Sequence, residues 1–248
     1  DNTEWMYGVR DGKIYVNINN YNIDTPITVN LEINGKVIES AKELRTRTEI
    51  GRDIELKPYS PVLLEIETDN TFFDTYGHWS EDEVKVLASE KIVNGVSASR
   101  FAPNSKITRA EFLTLCLKAI GEETGSKITG FSDVSDGDWF AAVISKAEKL
   151  GLCDEMKNGT EINPNKAITR EEIMTVLAKV YEYKGKSLLQ NQTDTFSDIG
   201  DIGEKFKIYV EKAIGMGWVK GDNGKLLPNN TSTRAEAAAL IGRFMKDL

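Results

Sequence analysis

Two hydrophobic periods divide the chain. Up to about residue 70, apolar and polar residues alternate: Ile14, Val16 and Ile18 with Tyr15 and Asn17, then Val29, Leu31 and Ile33 with Asn30 and Glu32. Ile54 with Leu56, and Val62, Leu64 and Ile66, continue the same rhythm. It turns one face of each segment toward a core and predicts β-strands. Asn34-Gly35, between Ile33 and Val37, predicts a tight hairpin, because both residues tolerate positive φ. Together these segments read as a small antiparallel β-sandwich. Beyond Thr71 the period becomes helical. Phe140, Val143, Ile144, Ala147 and Leu150 share one helix face, and so do Ala237, Leu240, Ile241, Phe244 and Leu248.

The helical part repeats itself. Pro103-Asn104, Pro164-Asn165 and Pro228-Asn229 are each followed by a Thr-Arg-x-Glu tetrad whose arginines, Arg109, Arg170 and Arg234, stand 61 and 64 residues apart. Thr108 with Glu111, Thr169 with Glu172, and Thr233 with Glu236 are capping boxes, in which two side chains satisfy backbone N–H groups at a helix start. Ser80 with Glu83 predicts another. Capping leaves the arginines unexplained, because a cation in the first turn faces the positive end of the helix dipole. A guanidinium beside free N–H groups suits a carboxylate or phosphate, held by forked charge-assisted bonds. The alternative is an ion pair with an acid of a neighbouring repeat.

Each copy opens on an aromatic and an aspartate: Phe72, Phe73 and Asp74; Phe131 and Asp133; Phe196 and Asp198. Trp79, Trp139 and, less faithfully, Phe206 follow. The phenylalanines read as core anchors. The aspartates suit either Asx-turns or sugar hydroxyls, and the tryptophans either packing or a sugar face. Gly95 and Gly221 occupy matching loop positions, where the middle copy is read as carrying Glu155 and the added negative charge is expected to weaken anion binding there.

Composition narrows the classes. The 31 basic and 39 acidic residues among 248 give a net charge of −8, and no Lys/Arg cluster suggests a nucleic-acid face. No apolar run reaches the roughly 20 residues that span a bilayer, so membrane insertion is not expected. The start, Asp1-Asn2-Thr3-Glu4, reads as a piece of something longer. Cys116 and Cys153 read as buried thiols, and His78, the single histidine, offers no metal set or triad. Asp133, Asp136 and Asp138 resemble the start of a calcium loop, but its twelfth position would be Ile144 rather than Glu. No metal, no cofactor and no catalytic residue is expected.

Aromatic-x-Asp, an aromatic (Trp in the first two copies), helix, loop (with Gly in the first and third), Pro-Asn and Thr-Arg-x-Glu, in that order three times, resemble the S-layer homology (SLH) repeat. The resemblance implies an α+β chain with repeats at 71–125, 126–190 and 191–248, forming an all-α pseudo-threefold module with grooves between repeats. Residues 1–70 would be the end of an upstream domain. It also implies a monomeric, non-enzymatic module at the bacterial cell surface, anchoring its protein to secondary cell-wall polysaccharide. That partner is anionic and carboxylate-bearing, often through pyruvate ketals on N-acetylmannosamine. By resemblance Arg109, Arg170 and Arg234 grip the acid, Asp74, Asp133 and Asp198 accept sugar protons, Gly95 and Gly221 let backbone approach, and Trp79 and Trp139 add apolar contact. Two other readings are an assembly module of a surface layer and an accessory tail of a polysaccharide-degrading enzyme.

Overall fold

The computed structural model describes residues 3–10, 12–33, 35–67, 72–187 and 196–248. It divides into two compact units, 1–88 with 94–103, and 89–93 with 104–248.

In the first unit a five-stranded antiparallel sheet runs in the order β1 (Thr3–Arg10), β2 (Lys13–Asn20), β9 (Val62–Glu67), β6 (Ser40–Glu43), β7 (Thr48–Gly51). Two short pairs accompany it: β3 (Ile27–Val29) with β8 (Ile54–Leu56), and β4 (Glu32–Ile33) with β5 (Lys36–Val37). Ile14 pairs across from Ile66 and Val16 from Leu64, so the buried faces of β2 and β9 coincide. With Ile18, Ala41, Ile54 and Leu56 they form one core. Ile33 pairs with Lys36 across the predicted hairpin, where Gly35 has φ 84°; Asn34 lies outside the described residues. Phe73 and Tyr76, from the first repeat, pack on this core, and α1 (Glu81–Ser89) follows them. At its start the Ser80 hydroxyl lies 2.8 Å from His78 Nδ1, and the Glu81 carboxylate accepts the Gly77 N–H.

The second unit holds α2 (Arg109–Ala119), α3 (Ala141–Lys149), α4 (Arg170–Tyr183), α5 (Lys207–Gly215) and α6 (Arg234–Met245). Capping boxes Thr108/Glu111, Thr169/Glu172 and Thr233/Glu236 open α2, α4 and α6. The segments before these helices exchange backbone hydrogen bonds in a closed ring: Ile107 N–H to Ser232 O, Ser232 N–H to Ile168 O, and Ile168 N–H to Ile107 O, at 3.2, 2.9 and 3.0 Å. All three residues are fully buried, so each bond is shielded from water.

The expected sandwich followed by an all-α pseudo-threefold module is corrected here. The unit boundary runs through the first repeat, whose opening residues cluster with the sheets. The second unit also mixes its helices with β-bridges, Thr108 with Ala167 and Thr169 with Thr231 among them. The chain as a whole is α+β. The repeat boundaries expected at 70/71 and 190/191 fall outside the described residues.

Candidate functional site

The opening of each copy is a clasp. Phe72, Phe131 and Phe196 are buried, and two residues on, each aspartate spends both carboxylate oxygens on consecutive backbone N–H groups about 28 residues downstream. Asp74 accepts from Phe101 and Ala102, Asp133 from Ile162 and Asn163, and Asp198 from Leu226 and Leu227, at 2.7–3.1 Å. The second residue of each pair is left-handed: Ala102 at φ 59°, Asn163 at 52° and Leu227 at 55°. None of them is glycine, so each carboxylate holds a conformation the chain resists. Burial pushes the Asp198 carboxyl up, but the N–H groups of Leu226 and Leu227 outweigh it and hold the group below the usual carboxylate range.

The glycines serve the same clasp. A Cβ on Gly95 would collide with the Phe72 ring and the Arg100 carbonyl; on Gly221, at φ 67°, it would meet the Phe196 ring and lie 2.7 Å from Lys225 O. The hairpins that follow begin at Val96, Asn158 and Asp222, which places Lys157 rather than Glu155 in the matching position of the middle copy. Glu155 instead pairs with Lys179 at 2.5 Å, so it adds no uncompensated charge. The first helical bonds, from Val84 N to Ser80 O, Ile144 N to Phe140 O and Val210 N to Phe206 O, give a second realignment. Phe206 matches the buried Phe140, and Lys205 stands where Trp79 and Trp139 stand, both more than 60% exposed.

The three arginines differ. Arg109 is 4% exposed; its Nε lies 3.1 Å from Glu172 Oε2, its Nη2 also donates to Glu172, and its Nη1 donates to Ile162 O at 2.6 Å. Glu172 is the capping acid of the next repeat and also accepts the Thr169 N–H. Arg234 sits 3.7 Å from Glu111, the capping acid of the first repeat. Arg170 donates from Nε to Leu226 O at 2.7 Å, but no carboxylate among the described residues pairs with it. Burial lowers its pKa, with Glu236 opposing.

Between the second and third repeats lies a cleft of about 520 Å³. Arg109 and Glu172 lie in its wall, Phe206 gives an apolar surface, and Asn158, Asn163, Asn229, Thr169 and Thr231 supply neutral polar groups. Lys166 and Lys205, both exposed, line it without an ion pair among the described residues. Glu171, where the other copies have Ala110 and Ala235, is 6% exposed and accepts the Gly203 N–H at 2.9 Å. Sequence reading missed Lys166, Lys205 and Glu171. Comparing the tetrads residue by residue would have exposed Glu171, because only the middle one reads Thr-Arg-Glu-Glu.

No cluster of His, Cys, Asp or Glu among the described residues has the spacing to hold a metal. Cys116 and Cys153 are free and buried, and burial pushes the Cys153 thiol up to about 12, far from a reactive thiolate.

Helical repeats clasped by aspartates, with a polar cleft lined by residues of more than one copy, define a repeat protein. The sequence profile of the S-layer homology domain matches residues 71–113, 130–174 and 195–238, a little over half of the chain, and the chain belongs to that family. It is 37% identical over 180 residues to an amylopullulanase of Thermoanaerobacterium thermosulfurigenes, covering 71% of this chain and 9% of that protein. It is 32% identical over 161 residues to a cellulosome-anchoring protein of Acetivibrio thermocellus, covering 62% and 35%. To the S-layer protein sap of Bacillus anthracis it is 30% identical over 173 residues, covering 68% and 20%. The chain thus spans a minor part of each relative's length, and the matched part of the amylopullulanase is a small share of that enzyme.

Proposed function

We propose that the chain anchors its protein non-covalently to the bacterial cell wall by binding an acidic, carboxylate-bearing wall polysaccharide. The observation that carries this reading is the inter-repeat cleft, lined by neutral polar side chains and by two ammonium groups, Lys166 and Lys205, that have no ion pair among the described residues. A sugar carboxylate would be received by the lysines, and its hydroxyl and amide groups by Asn158, Asn163, Asn229 and Thr231. Arg109 shapes the wall from its pair with Glu172; three of its five N–H groups are committed there and to Ile162. Arg170, which has no carboxylate pair among the described residues, and the exposed Trp79 and Trp139 remain candidates for further ligand contact. The family and the cellulosome-anchoring and S-layer relatives support attachment at the cell surface, without catalysis by this segment.

The test is retention on isolated wall sacculi before and after acid removal of the attached polysaccharide. Retention should vanish on stripped walls, and Lys166→Ala with Lys205→Ala should weaken binding about tenfold per lost contact. Undiminished retention on stripped walls would transfer the role to assembly with another surface protein.

A further inference from the structure

The middle copy departs from the others at one buried position in the cleft. Ala110 and Ala235 follow the tetrad arginines of the first and third copies, whereas Glu171 follows Arg170. Its carboxylate is buried in the cleft wall beside a second carboxylate, that of Glu172, on the same helix. The two acids are not equally served. Glu172 has both oxygens on Arg109 and a third donor in the Thr169 N–H. Glu171 accepts from a single donor among the described residues, the Gly203 N–H. Lys166, from the loop before α4, and Lys205, from the loop before α5, act on it only through space and lie on the exposed rim. Arg109, the remaining cation of the wall, is already committed.

We infer that Glu171 decides the charge state in which a ligand enters this cleft: a carboxylate-bearing saccharide binds together with one proton on Glu171. This rests on the assignment of the cleft to an acidic wall saccharide. With Glu171 ionised, an incoming carboxylate meets a fixed negative charge that competes for the same two lysines. When a proton from solvent adds to Glu171, that competition ends, and the new O–H can donate within the site. The direction of its titration agrees: burial raises the carboxyl above its ordinary range, the neighbouring Glu172 adds to the rise, and the Gly203 N–H and the two lysines oppose it. A bound carboxylate raises it further, so affinity is highest below the free-chain pKa and declines as pH climbs to the pKa of the complex.

The experiment is calorimetric titration of the full chain with a pyruvylated N-acetylmannosamine disaccharide at intervals from pH 4 to pH 8, in buffers of different ionisation heat. The native chain should bind about tenfold more tightly at the acidic end than at the alkaline end, the effect of one pKa unit of displacement on binding, and should take up protons on binding over the range in which its affinity falls. Glu171→Gln should bind at every pH as tightly as the native chain at the acidic end, with no proton exchanged. Glu171→Ala, which installs the residue found in the other copies, should be equally flat. Comparison of variants also separates Glu171 from His78, the one histidine of the chain. Binding without pH dependence, or unchanged proton uptake in the Gln variant, overturns the role of Glu171 alone. No binding by any protein at any of these pH values overturns the acidic-saccharide reading and this inference with it.

Discussion

Arg109 carries a cation where the helix dipole disfavours one, and Glu172 resolves the conflict. Sequence alone could pose that problem but not solve it, because the partner lies 63 residues away and already has a legible task as a capping acid. The pair is almost wholly buried, so removing the cation strands a carboxylate in the interior. Arg109→Ala should therefore destabilise the fold by about 3–5 kcal/mol, measured by urea denaturation. Stability within error of the native chain would show that Glu172 needs no partner. Asp198 offers a second test with a defined sign. Its folded pKa is depressed, so its contribution is present above the unfolded value and is lost as pH falls through the folded one. Asp198→Asn should cost about 1.5–3 kcal/mol near neutral pH, the range for a charge-assisted hydrogen bond. The difference from the native chain should close in strong acid, and a constant difference from pH 7 to pH 2 would exclude the carboxylate as the cause.

Elements were legible where a local motif specifies them. The capping boxes of α2, α4 and α6 and the alternation of β2 and β9 need only neighbours in sequence. Strands β1, β6 and β7 were not legible: Ser40–Glu43 and Thr48–Gly51 are short and largely polar, and β1 keeps Trp5, Met6 and Tyr7 exposed at the sheet edge. Their pairing depends on partners far along the chain, which periodicity does not report. Counting residues also misplaced the loop of the middle copy, because the link from α3 to its hairpin, 150–157, is two residues longer than the matching links 90–95 and 216–221. The hairpins themselves agree between the middle and third copies, where Asn158 bonds to Glu161 and Asp222 to Lys225. A glycine is required at 221 for two reasons, its φ of 67° and the Phe196 ring. Gly221→Ala should cost about 1–3 kcal/mol in thermal or urea unfolding, from left-handed backbone strain and overpacking. A neutral result would mean that the ring moves freely.

At the scale of the whole chain, the order of motifs was enough to indicate the family, since each motif is local and the combination recurs three times. It could not show that the first repeat divides between two compact units, because that division depends on packing of Phe73 and Tyr76 against a core assembled from distant strands. Nor could it reveal the cleft, whose lysines belong to no motif. Another long-range feature concerns how attachment fails. Ile107, Ile168 and Ser232 each give one backbone bond and receive one within a closed ring. Removing the third copy deprives Ile107 of its acceptor and Ile168 of its donor together, so both surviving copies are damaged by the loss of one. Under the proposed anchoring role, a protease that excised that copy would disturb both that remain, so the loss of attachment should exceed one third.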